Sequence, residues 1–128
     1  MIPHKSEMIS QLLLAEAGRV LEEAKDFLKV QCLYDEYEGW VQRSQVVVTD
    51  RLPPEATLFA GNWTNEVTIN GKPAHISLGT PVFAGELPLG HQLINYPATV
   101  KAHIVPAAPS TGQVKAIAFQ LLNTSYLW

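Results

Sequence analysis

The chain has 128 residues and a mass of 14.1 kDa; 47% of them are apolar and only 16% charged. Twelve acidic against nine basic residues leave a net charge of −3 and a pI near 5.7. This composition excludes a disordered tail, which combines low hydrophobicity with high charge. With no Lys/Arg cluster it also argues against a nucleic-acid surface, since phosphate binding needs neutralising positive charge. No apolar run approaches the roughly 20 residues that a membrane-spanning helix requires. The length suits one ordinary domain or two very small ones. Met1 to Glu7 (MIPHKSE) carries no apolar signal core, so no secretory signal is expected in these residues. Cys32 is the single cysteine, which excludes an internal disulfide and a thiolate metal cluster.

In chain order, Met8, Ile9, Leu12 and Leu13 fall at helical spacing, predicting one or two turns within residues 6–15. Leu12-Leu13-Leu14 serves a strand equally well. Gly18 marks a turn before a short strand at Arg19–Glu22. Phe27 to Leu33 alternates, with Leu28, Val30 and Cys32 on one side, and predicts a half-buried strand. Tyr34 to Gly39 is polar and tight and suits a hairpin turn. Trp40 to Arg43 resumes as a strand, and the β-branched run Val46-Val47-Val48 predicts another.

Pro53-Pro54 breaks this pattern and places a boundary at about residues 50–55. Ala56 to Ala60 opens a second β-rich region. Glu66–Ile69 and Ala74–Leu78 flank Asn70-Gly71, the signature of a two-residue hairpin turn. Pro73 is expected at the turn edge, where its missing amide does least harm. Thr80–Phe83 and Leu87–Gly90 add short extended pieces, and Thr99–Ile104 alternates as a closing strand. Pro106 to Gly112 is a linker by composition. Gln113 to Leu122 predicts a helix of about three turns, with Val114, Ile117, Ala118 and Leu121 on one face. The terminal Tyr126-Leu127-Trp128 is costly to leave in water and is expected to belong to something larger. The expected fold is therefore mainly β: two small barrels in tandem, residues 1–52 and 53–106, then a linker and short helix in 107–128.

No constellation supports catalysis within these residues. None of His4, His75, His91 and His103 falls at the i,i+4 spacing of a zinc helix; His75 and His103 approach only if their strands pair. Neither a metal nor a cofactor is implied. Glu22-Glu23 and Asp35-Glu36 sit in wet turns, without the desolvation that would raise one acid for proton transfer. Cys32, in mid-strand alternation with Leu28 and Val30, reads as a core residue and not a nucleophile. The aromatic-acidic turn is the better candidate: Tyr34, Tyr37, Glu36 and Glu38 crowd beside Trp40, and a tyrosine beside carboxylates can hold an ammonium group. The structural alternative has Trp40 filling a barrel core with the tyrosines covering its rim.

Asp35-Glu36-Tyr37-Glu38-Gly39-Trp40-Val41 resembles the D-G-Y-x-G-W-V signature of bacterial SH3-like domains. Ser6 to Leu13 is similar to the stretch preceding that signature in SH3-bearing NlpC-like cysteine peptidases. Phe119 to Trp128 resembles the opening of the peptidase domain itself. Two departures stand out: Glu36 replaces the usual turn glycine, and Ser125 the usual proline before tyrosine. The resemblance implies two SH3-like barrels, the first lacking its opening strand, beside a peptidase domain whose catalytic cysteine segment is not among these residues. Cys32 lies on the SH3-like signature and does not carry over to the nucleophile.

The resemblance further implies a parent enzyme cutting peptidoglycan stem peptides between D-glutamate and a diamino acid, in the cell envelope or cytoplasm of a bacterium. The SH3-like region would border its cleft and select peptides with a free amino terminus, Tyr37 forming the wall and Glu7 the partner of the ammonium. A targeting module for cell wall or a protein, with no part in selection, is the other functional class.

Overall fold

The computed structural model describes Met8, Ser10–Ile104, Ala108 and Ser110–Asn123. The chain divides into two compact units, Leu12–Val105 and a second made of Met1–Gln11 with Pro106–Trp128.

In the larger unit, β1 (Gly18–Glu23), β2 (Phe27–Cys32) and β3 (Glu38–Gln42) form an antiparallel sheet in the order β1-β2-β3. The period of two decides its buried side. Leu28, Val30 and Cys32 are buried, while Phe27, Lys29 and Gln31 point the other way. Leu28 faces Val41, and Val30 faces Gly39 and Val20, so small and apolar residues share the inner face. A bulge between Val20 and Glu22 interrupts the β1 ladder.

A second sheet runs β10-β4-β7, from Ala102–Ile104, Leu58–Ala60 and Pro81–Val82. The third runs β6-β5-β9-β8, from Lys72–Ser77, Thr64–Ile69, Gln92–Tyr96 and Gly85–Leu89. Ala60, Val67, Ile76, Val82, Leu87, Ile94 and Tyr96 make the core of this region, and Leu14 and Ala15 from the entering chain pack on it. Asn70 and Gly71 turn β5 into β6 at φ +50° and +76°, the positive angles that a two-residue hairpin requires. Asn70 also ties this turn to β9. Its Oδ1 accepts from the Leu93 amide at 2.8 Å, and its own amide donates to the Leu93 carbonyl at 2.8 Å.

The smaller unit contains α1 (Thr111–Gln120). Ser110 caps it: its Oγ accepts from the Gln113 amide at 3.2 Å, and the Gln113 side chain accepts from the Ser110 amide at 2.8 Å. None of its residues is buried.

The mainly β character and the short carboxyl-terminal helix are as expected, but three expectations need correction. Pairing among the described residues closes no barrel: three open sheets stand where two barrels were expected. The segment before β1 is neither helix nor strand in its described part. Leu13 and Glu16 close a tight turn, with Ala15 at φ +67°, and the Glu16 carboxylate accepts from the Leu13 amide at 2.8 Å. Val46–Val48 forms no strand, following a single 3-10 turn at Arg43–Gln45 without a pairing partner. Strand β9, the neighbour of both β5 and β8, is an element that sequence patterning missed.

Candidate functional site

The outer face of the first sheet is built by the same alternation that buries Leu28 and Val30. Lys29 sits between Glu22 on β1 and Trp40 on β3, its direct partners across the two ladders. Its Nζ lies 3.2 Å from Glu22 Oε1 and 3.4 Å from Glu38 Oε2. These carboxylates, Glu22 foremost, raise the Lys29 ammonium above its ordinary value of 10.5. Gln31 donates to the other Glu38 oxygen at 3.5 Å, and Arg43 pairs with Glu23 at 2.6 Å. Lys29 and Arg43 are thus paired, while Arg19, opposite Gln31 on the same face, makes no ion pair among the described residues.

Trp40 is 52% exposed, which removes the structural alternative that placed it in a barrel core. Register is the reason. Trp40 faces Lys29 and so shares the solvent side, while Val41, opposite Leu28, takes the inner position. Next to it the β2–β3 turn carries Tyr34 at 84% exposure and Tyr37 at 45%. Asp35 Oδ1 accepts from the Tyr37 amide at 3.1 Å, the Glu36 amide donates to the Cys32 carbonyl at 3.0 Å, and Glu36 adopts φ +59°. The glutamate thus stands in a left-handed conformation that glycine takes without strain. Asp35 and Glu36 have no ion-pair partner among the described residues.

Exposed rings beside unpaired carboxylates attract a cationic or peptide ligand through ring faces and charge. Of the two residues expected to recognise an ammonium, Tyr37 lies at this turn and Glu7 lies outside the described residues. Cys32 is buried on the inner face, shielded from any substrate. His75 and His103 lie on strands of different sheets, facing Glu66 and Phe59, so pairing does not bring them together.

The second region holds an apolar cavity of about 440 Å³, with Leu58, Val82, Phe83, Tyr96 and Val100 in its wall. Phe83 and Tyr96 stack at a tilt, ring centres 5.8 Å apart. The Tyr96 hydroxyl is buried without a hydrogen-bond partner among the described residues, and burial pushes it up to about 12.

Residues 3–46 match the family model of the bacterial dipeptidyl-peptidase SH3 domain. They are an SH3-like domain. The match spans the whole of the first sheet and its aromatic turn, so Tyr34, Tyr37 and Trp40 all belong to the SH3-like domain. No curated protein and no solved structure matches the chain. No described helix is long and apolar enough to cross a membrane.

Proposed function

We propose that the SH3-like domain is a peptide-recognition module that targets its protein to cell-wall peptide or to a peptide segment of a partner. The observation that carries this is the exposure of Trp40 on the outer face together with Tyr34 and Tyr37 in the adjoining β2–β3 turn, where Asp35 and Glu36 have no ion-pair partner among the described residues. Large rings left in water cost solvation and earn their place at recognition surfaces, where they bury much area for little entropy. On this reading residues 1–52 bind, residues 53–106 form a companion β module, and residues 107–128 are a linker and short helix.

The test is a titration of the labelled chain with a stem tripeptide that begins with a free L-alanine. Saturable shifts at the Trp40 indole and the Tyr37 amide are expected, weakened about tenfold by Tyr37→Ala or Trp40→Ala. Shifts confined to the second β region would overturn the assignment.

A second reading follows from the family match, whose description names a dipeptidyl-peptidase. In it the same face borders the cleft of a stem-peptide peptidase, an NlpC-like cysteine enzyme, and Tyr37 with Glu7 selects free-amine peptides. N-acetylation of the tripeptide separates the two readings: it abolishes binding under selection and leaves a targeting module's binding within twofold.

A further inference from the structure

We propose that the open edge of β3 takes up an extended peptide as an added antiparallel strand, with a basic peptide residue beside the Asp35–Glu38 turn. This rests on the peptide-recognition reading and names the geometry and partner chemistry for it.

The ladder shows which groups of β3 are available. The Cys32 amide donates to the Tyr37 carbonyl at 2.8 Å, and the Arg43 amide to the Asp26 carbonyl at 2.9 Å. Hydrogen-bonded pairs alternate along an antiparallel ladder. Gly39 and Val41 therefore turn their backbone groups toward β2, while Glu38, Trp40 and Gln42 turn theirs outward. Among the described residues, no strand pairs with that outer side.

Three of the four edge strands of the other sheets differ from β3 in carrying a proline; the three-residue β10 does not. Pro73 on β6, Pro81 on β7 and Pro88 on β8 each face a non-hydrogen-bonded position, opposite Thr68, Phe59 and Leu93. Each removes an outward amide and blunts its edge against pairing. On β1 the bulge serves the same end. Strand β3 has neither proline nor bulge, and Trp40 stands at its middle.

Two further features shape the occupant. A Cβ added at Gly39 would meet nothing within 4 Å, leaving room on the inner side of the strand for a partner's apolar side chain. The turn end carries Asp35 and Glu36 with no ion-pair partner among the described residues. An antiparallel strand brings its carboxyl-terminal end to that turn, so a basic residue belongs there. Main-chain bonds of this kind supply affinity, and alternate side chains supply choice.

The probe is a blocked hexapeptide, Thr-Val-Thr-Val-Thr-Lys, titrated into the full chain. Saturable binding is expected, with exchange of the Glu38, Trp40 and Gln42 amides slowed at least tenfold in the complex. Gln42→Pro is the decisive variant: Gln42 already sits at φ −70° and ψ 132°, which proline adopts unstrained. It should weaken binding at least tenfold with the melting temperature unchanged or raised, while Lys72→Ala stays within twofold. Binding that survives Gln42→Pro but is lost in Trp40→Ala would overturn strand addition while keeping recognition by the aromatic face. Absence of saturable binding, equal affinity for a carboxyl-terminal glutamate peptide, or protection of the three amides in the free chain would each overturn the proposal. Concentration-dependent self-association that protects the same amides would assign the edge to a second copy of the chain and overturn it too.

Discussion

Val47 lies against Gly90: a Cβ on that glycine would stand 2.5 Å from the Val47 Cγ1 atom. Gly90 is also at φ +56° in the turn between β8 and β9, so the position is closed to other residues twice over. Gly90→Ala is expected to cost about 2–4 kcal/mol, combining left-handed strain with overpacking. Chemical denaturation of Gly90→Ala, Val47→Ala and the double variant measures the coupling. Strict additivity would show that the two side chains do not meet.

Glu36 offers the opposite opportunity. It holds φ +59° between Asp35 and Tyr37, where the SH3-like signature has glycine. Glu36→Gly is expected to stabilise the fold by about 1 kcal/mol, relief of strain exceeding the added entropy of the unfolded chain. A lowered denaturation midpoint would show that the Glu36 side chain contributes more than its backbone costs.

Tyr96 makes alkaline stability a direct readout of its burial. Its folded value of about 12 lies above the ordinary 10.0, so the unfolded chain gives up the proton first as pH rises. Stability is fully present below pH 10 and is lost progressively as pH approaches about 12. Tyr96→Phe should abolish this part of the alkaline loss and add about 1 kcal/mol at neutral pH by removing an unsatisfied hydroxyl. Parallel denaturation curves from pH 8 to 12 check both effects; identical slopes would refute the burial argument.

Asn70 couples a turn to a neighbouring strand through a side chain and a positive φ together. Asn70→Ala loses both, leaving the Leu93 amide without its acceptor, at an expected cost of about 2 kcal/mol. Asn70→Asp keeps an acceptor and a tolerated φ, and should recover more than half of that loss. Amide exchange at Leu93 distinguishes the two variants.

What was legible in the sequence follows what is local. Leu28, Val30 and Cys32 alternate over a run long enough to fix both the strand and its buried side, and Asn70-Gly71 specifies its turn through backbone angles alone. The face of Trp40, recognition surface or core, stayed open because it depends on the β2–β3 register, set by a loop from Leu33 to Tyr37 that no short turn motif constrains. Val46–Val48 has strand propensity but no partner, and propensity without a neighbour to pair with forms no ladder. Strand β9 was announced by Gly90 at its turn and by Leu93-Ile94-Asn95-Tyr96, yet its central position comes from pairing with β5, 25 to 27 residues earlier. The helix cap was readable in Ser110 and Gln113 three positions apart, although the segment reads as linker by composition. At the site, Tyr37 was legible from the signature and Tyr34 from its crowding in the turn. The open edge beside Trp40 was not, because unpaired backbone groups carry no sequence signal.

Cys32, buried at the end of β2, gives the SH3-like domain its own clock. A thiol reagent reaches the sulfur only when this sheet parts, so the rate of labelling under native conditions times the opening of β1, β2 and β3. No second thiol in the chain competes for the reagent. Ligand that clasps the sheet would slow the reaction in proportion to its occupancy, turning one inert core atom into a gauge of binding without any engineered label.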